Sequence, residues 1–597
     1  MGAMPLPNGG FAFRVWAKFA QDVHVVGDFN GGSDTATPLF PEGNGNWSAD
    51  VPAAKVGQQY RYLIKGMDGQ DRRRTDPRAL RVNPADTGNA EGMIVAPDFF
   101  WDSGSFGMAG FNELVIYELH IESFHDPAEP GTFDTLIGKL PYLQELGINA
   151  IELLPIFGHF GQHSLGYNPA FPFDIESNFG SNDGFKRFIR AAHDHGIAVI
   201  MDVVYNHFGW EELDLSLQQP DGWSKNGSDG IYFYADDPRK SGGFGPRPDF
   251  GRPEVRDYIR DNIRLWLEQY HVDGFRFDAV TLIRNAHDQD FDPGNDIPEG
   301  IGLLQDIGGI IKNQPSAKIS IAEDLKDDAW IVQRGNGGLG FDSQWASEFY
   351  WAIHDNAVAV FDEQRSMARL RDAVERGFNA DAYSRVGFTE THDSIRQDRG
   401  HARIPEEIAP GNGESWPGKK RSTLAAGFVL TTPCIPMLFQ EQELLATGAW
   451  SPGDNFDWSR RNQLDGIFRL YRDLIRLRRN FDNNTRGLRG QHVHVHHLND
   501  NDKVIALHRW DQGGPGDDVV VVMNFGHQQF DTYSLGFPGP GLWWCRLNSD
   551  ASTYDGSFGN FGSTLTVADP SDPADPDHMP CRARIGIAPY SLLIFSQ

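Results

Sequence analysis

The spacing of apolar positions divides the chain into three stretches. In the first hundred residues FAFRVWA, VHVVGDF, WSADVPA and YRYLIKG read as short strands, and NGG, GNGN and MDGQ break the chain between them. That is the grammar of a small β-sandwich. Near Phe111 it gives way to strand, loop and amphipathic helix in repetition, the pattern of a parallel sheet wrapped by helices. The candidate strands cover 114–121, 149–156, 197–207, 272–280, 318–324, 340–345, 384–393 and 435–443, and eight in succession predict a closed (β/α)8 barrel.

Between these strands Leu136, Leu140 and Leu143 recur at helical spacing, with Thr132 placed to cap the start and Gly147 to end the turn. A second stripe carries Val255, Tyr258, Ile259, Ile263, Trp266 and Leu267, and Pro253 stands where a first helical turn tolerates it. Both stripes are read as packing onto the strands. After a last helix with Ile467, Leu470, Tyr471 and Leu474 on one face, HVHVHHL, VIALHRW, DVVVVMNF and SLLIFS return to strand patterns. The expected fold is α/β: a TIM barrel over residues 106–484, flanked by all-β sandwich domains over 1–105 and 485–597. A length of 597 residues, too great for one compact core, agrees. Residues 208–252 are rich in Gly, Pro and Asp and too long for a routine connection, so a functional loop is expected there, with Phe244, Pro248 and Phe250 as candidates to line a substrate groove. DPSDPADPD at 569–577 reads as a surface loop.

Charge narrows the partners. Lys and Arg number 53 against 82 Asp and Glu, a net charge of -29, with no basic run, which argues against nucleic acid and anionic membrane. No stretch of eighteen apolar residues appears, MGAMPLPNGGFAFRVW lacks the basic start and apolar run of a secretion signal, and Cys434, Cys545 and Cys581 form no paired framework. A cytoplasmic protein with free thiols is expected; oligomeric state is not readable.

In a (β/α)8 barrel the reacting groups stand at the carboxyl ends of the strands. There the third strand offers Asp202 and His207, the fourth Arg276 and Asp278, the fifth Glu323, and the seventh His392 and Asp393. Within GFRFD the two-residue period turns Arg276 and Asp278 to one side, so the cation favours an ionised carboxylate, as a glycosidic nucleophile requires. Glu323 follows the apolar run ISIA, and burial there would hold its proton near neutral pH. A nucleophile and an acid on adjacent strands, about 5 to 5.5 Å apart, are what retaining glycoside chemistry needs. Asp393, His392 and His207 would then bond sugar hydroxyls.

These residues sit in short motifs, DVVYNH at 202–207, GFRFDAV at 274–280, IAED at 321–324 and THD at 391–393, and on them the chain resembles the α-amylase family of glycoside hydrolases and transglycosylases. The resemblance implies Asp278 as nucleophile, Glu323 as acid/base and Asp393 as transition-state stabiliser. It implies that Arg276, His207, His392 and Asp202 shape the subsite of the cleaved glucose, and that Tyr167 in GYNP is its aromatic platform. VVGDFN, GNWSADV and YRYLI resemble a glycogen-binding type of β-sandwich. IAED and YELHIESF are similar to branching enzymes, whereas GFDSQW resembles trehalose-releasing hydrolases. Branching enzymes usually carry Ser-His-Asp-Glu where Thr391, His392, Asp393 and Ser394 stand, and a Gly in place of Glu441.

The expectation is a 1,4-α-glucan branching enzyme acting on amylose, amylopectin, glycogen or maltooligosaccharides. A hydrolase using the same site is the alternative, and a non-catalytic glucan-binding protein a remote one. No cofactor and no metal are expected. His492, His494 and His496 alternate on one strand and are read as a solvated face, and Asn206 occupies a position that ligates calcium in secreted amylases but not in branching-type members. Trp47, Tyr60 and Tyr62 are either a sugar-stacking surface or sandwich core.

Overall fold

A computed structural model describes the chain except residues 84–89, 97, 102, 103, 105, 162, 210–214, 226–229, 236, 237, 289–291 and 572–576. Part of the 208–252 loop, most of DPSDPADPD and the expected boundary at residue 105 therefore lie outside the described residues.

Eight parallel strands, Ile116–Leu119, Ala150–Leu153, Ala198–Val203, Gly274–Phe277, Ile319–Ala322, Ser343–Trp345, Arg385–Gly387 and Ile435–Phe439, pair in sequence order and close into a barrel. All eight fall inside the expected segments but are shorter. The third and seventh ladders end well before their segments do, so His207, His392 and Asp393 ride on the loops beyond the strands. Side chains alternate inward along each strand, and the inner positions grade from apolar to charged. Ile116, Ala150, Ala198, Ile200, Ile319 and Ile321 join one interior cluster, while Glu118, Glu152, Asp202 and Arg276 are buried in the carboxyl halves of the first four strands. The barrel is tight enough at Gly274 that a Cβ would stand 2.4 Å from the Ile319 carbonyl oxygen, so the strand carrying Arg276 requires glycine there.

Helices wrap the strands as their stripes imply. Pro253–Glu268 buries Val255, Tyr258, Ile259, Ile263, Trp266 and Leu267, with Pro253 in its first turn. The Leu136 to Leu143 stripe is two helices, Phe133–Ile137 and Leu140–Leu146, because the chain breaks at Gly138 and Lys139 and restarts with Pro141. Thr132 does cap the first, accepting from the Thr135 amide, and Gly147 ends the second at φ 97°. A hairpin that the pattern did not announce, Phe157–Gly158 with Phe171–Ile175, follows the second strand and carries Tyr167 in its loop.

Antiparallel sheets flank the barrel. At the N-terminus a four-stranded and a five-stranded sheet enclose Phe13, Val25, Tyr60, Tyr62 and Ile64. Tyr60 and Tyr62 are buried with both hydroxyls on Asp76, and half-buried Trp47 donates its indole N–H to the Ala17 carbonyl, so these aromatics are core. At the C-terminus six-stranded and two-stranded sheets face each other. There a register shift between Val495 and His497 turns His496 inward, and it is buried while His492 and His494 stay exposed, which corrects the reading of one solvated face. The three cysteines are free. Among the described residues no helix is long and apolar enough to cross a membrane.

Candidate active site

Arg276 organises the carboxyl end of the barrel. Its guanidinium is fully buried and stacks 4.4 Å from the Trp345 ring centroid. Nη1 lies 2.6 Å from Asp202 and 3.0 Å from Asp278, and Nη2 lies 2.9 Å from Glu323. One cation thus holds carboxylates from the third, fourth and fifth strands, and the two on the fourth and fifth face a common cavity. Register explains part of this, since Asp202 and Arg276 are paired residues on neighbouring strands. Asp278 is gripped from its other side by the Asn206 amide, which donates to its Oδ2 at 2.6 Å. The next residue, Ala279, takes φ 40° and ψ 55°, a left-handed conformation costly for a residue with a Cβ, and its amide donates to Glu323 Oε2 at 2.8 Å. Backbone strain immediately after Asp278 therefore serves to seat Glu323.

Electrostatics separate the carboxyls. Burial pushes Glu323 up to about 7; Arg276 opposes this, while Asp278 and Asp393 reinforce it. Burial also pushes Asp202 up to about 7 against the pull of Arg276. For Asp393 burial works the same way, but His392, Arg399, Arg276 and Arg396 outweigh it and hold the carboxyl below its ordinary value. His392 is buried, which disfavours its charge, yet Asp393 and Glu118 raise it above the usual histidine range. Its Nδ1 donates to Glu118, fixing Nε2 towards Asp393 at 3.6 Å. His207 moves the opposite way through burial, and its Nε2 donates to the Tyr167 carbonyl at 2.8 Å.

A cavity of about 880 Å³ opens above these groups, lined by Tyr167, His207, Asp278, Glu323, His392 and Asp393 among others. Arg276 and Asp202 lie beneath it. Tyr167 donates its hydroxyl to Asp202 and stacks on His392, ring centroids 5.1 Å apart and planes 16° apart. Thr391 and Ser394 bond reciprocally, each hydroxyl accepting the other's amide at 2.8 and 3.2 Å, and so brace the turn that presents His392 and Asp393. All eight residues singled out from the sequence are thus brought together. Of the loop candidates only Phe244 reaches the cavity; Pro248 and Phe250 are buried in packing, because the loop folds back on itself.

Other members were missed. Glu118 lies within a segment quoted from the sequence, but the need of His392 for an acceptor is invisible until the first and seventh strands meet. Trp345, Arg396, Arg399 and Trp450 likewise gain their roles from loops distant in sequence. Asn206 donates its amide to both the carbonyl and the carboxylate of Asp278, a role its motif alone does not disclose.

Comparison with known proteins agrees with this architecture. Residues 1–79 match the model of carbohydrate-binding module 48, the isoamylase N-terminal domain. Residues 94–248 match the α-amylase catalytic domain, and 494–597 the α-amylase C-terminal all-beta domain. The chain is 30% identical to the 1,4-alpha-glucan branching enzyme GlgB 2 of Xanthomonas campestris pv. campestris, over 93% of this chain and 77% of that enzyme. It is 29% identical to the malto-oligosyltrehalose trehalohydrolase of Saccharolobus solfataricus, over 73% and 74% of the two chains. Among solved structures, a putative α-amylase from Salmonella typhimurium superposes with a TM-score of 0.73 at 21% identity, covering 100% of this chain and 99% of that one, a likeness of fold.

Proposed function

The chain belongs to the α-amylase family, and from that premise we propose that it is a 1,4-α-glucan branching enzyme working by retaining double displacement. The observation that carries the mechanism is the single buried guanidinium of Arg276 holding Asp278 and Glu323 against one cavity. Asp278 attacks C1 of an α-1,4-linked glucose; the C1–O4 bond breaks, and the Glu323 proton goes to O4 of the leaving chain. The Glu323 carboxylate then takes the proton of a 6-hydroxyl on another glucan, whose oxygen displaces Asp278 from C1 and forms an α-1,6 branch. Asp393 and the Nε2–H of His392 bond hydroxyls of the glucose ring as it flattens, and Tyr167 supplies the surface on which it rests. Asp202 and His207 position Arg276 and the Tyr167 loop.

Transfer to a sugar hydroxyl, as opposed to water, is supported by the branching-enzyme relatives that align over nearly the whole chain. Hydrolysis of the same covalent intermediate is a second reading, favoured by the trehalohydrolase relative. Incubation with amylose separates them: proton NMR is expected to show new α-1,6 linkages without a matching rise in reducing ends. Reducing ends alone overturn the branching reading, and trehalose released from a maltooligosyltrehalose selects the hydrolase.

A further inference from the structure

Among the described residues three cations contact Asp393, and they are not held alike. His392 is locked by Glu118. Arg396, 3.4 Å from Asp393 Oδ1, spends its Nε and Nη2 on Asp398. Arg399 reaches Asp393 Oδ2 at 3.2 Å with its side chain 46% exposed, and among the described residues this is the one ion pair it makes. The backbone under it is pinned. The Gln397 amide donates to the Trp450 carbonyl and the Trp450 amide to the Ile395 carbonyl, and further along the loop buried Arg403 bonds Glu390, Glu441 and the Gln440 carbonyl. Of the three, Arg399 has the most exposed side chain, 46% against 22% for Arg396 and 2% for His392.

Asp393 serves a sugar only if its oxygens are open to hydroxyls, and Oδ2 is occupied at the cavity mouth. We propose that Arg399 is a displaceable latch: it covers Asp393 in the empty enzyme and is expelled outward when glucan hydroxyls replace it. This rests on the α-glucan reading above but not on the fate of the covalent intermediate. A partly exposed ion pair is weak and screened by salt, so a neutral sugar can break it, and binding of that sugar acquires a salt dependence it would otherwise lack.

The test is calorimetric titration of maltoheptaose into the Glu323→Gln protein, which removes turnover, with and without Arg399→Gln. Loss of the latch is expected to tighten Kd roughly threefold. Raising NaCl from 0.05 to ~0.5 M should tighten binding to the latched protein and leave the Arg399→Gln form unchanged. Arg399→Lys, which keeps the charge on a shorter donor, should fall between. Weaker or equal binding by Arg399→Gln overturns the latch and makes Arg399 a sugar contact or a bystander. Absence of maltoheptaose binding in both forms overturns the glucan reading and the latch together, whereas tighter binding by the Arg399→Gln form, with the unsubstituted protein making no branches from amylose, leaves the latch standing and the branching reading lost.

Discussion

Glu323 is where opposed forces meet within one side chain. Arg276 at 2.9 Å and the Ala279 amide at 2.8 Å favour its anion, yet burial beside two other carboxyls leaves it protonated up to about pH 7. The sign for activity follows: the acid form is needed to protonate the leaving oxygen, it predominates below about pH 7, and it is lost tenfold per unit above. The alkaline limb of kcat/KM on a maltooligosaccharide is therefore expected to break near pH 7. Glu323→Gln should lower kcat by about two to four orders of magnitude and abolish that limb, since an amide neither donates the proton nor titrates. An unchanged limb in Glu323→Gln would assign the titration to another group. The motif residues themselves were legible because the two-residue period of a strand predicts which side chains share a side, as for Arg276 and Asp278. Glu118, Trp345 and Arg399 were not, because each acts across strands or loops far apart in sequence, where no local period relates them.

At the scale of elements, the loop after the eighth strand turns on Glu441, which sits at φ 69° and ψ −2°, in the left-handed region that favours glycine. The strain costs about 1–2 kcal/mol. Its carboxylate offsets this by accepting from Arg403 at 3.0 Å and from the Asp457 amide at 3.1 Å, charged bonds worth about 1.5–3 kcal/mol each, around an arginine that is almost wholly buried. The bonds win. Glu441→Gly, although it relieves the backbone, is expected to lower stability by about 1–3 kcal/mol in urea denaturation, and a stabilised variant would show that the backbone strain dominates. The position where this chain departs from the glycine of branching enzymes was visible in the sequence; that its backbone keeps the glycine conformation was not. The same holds for other irregular elements. The strands and helical stripes were read correctly in kind. The hairpin around Tyr167 and the bulge that buries His496 escaped, since a short hairpin has little periodic length and a bulge breaks the very alternation used to read a strand.

Across the whole molecule, the N-terminal sandwich grips the long loop after the third strand. The Phe19 amide donates to Asp221 Oδ2 at 2.8 Å, the Phe19 ring stacks on Trp223 with planes 9° apart, and Arg74 donates to the Gln219 carbonyl at 2.9 Å. Gly66 packs so closely that a Cβ would stand 2.6 Å from the Asp221 carbonyl oxygen. The same loop carries Trp223 and Tyr232 at this interface and then returns through Phe244 and Gly245 to His207 at the cavity. With Tyr60, Tyr62 and much of Trp47 committed to its core, the sandwich braces the loop whose later part lines the cavity at Phe244. Asp221 is fully buried and also accepts from the Trp223 amide, so Asp221→Ala leaves two amides without acceptors, at about 1–3 kcal/mol for each one kept from water. Hydrogen exchange at Phe19 and Trp223 is expected to quicken at least about tenfold in that variant, and KM for glucan to rise as the loop loosens, with the Pro253–Glu268 helix keeping its protection. Faster exchange with KM unchanged would mean that the sandwich holds the loop without shaping the cavity. Unchanged exchange at both amides would mean that the contacts of Arg78 with Asp261 and of Tyr258 with the Pro77 carbonyl suffice to hold the two domains together.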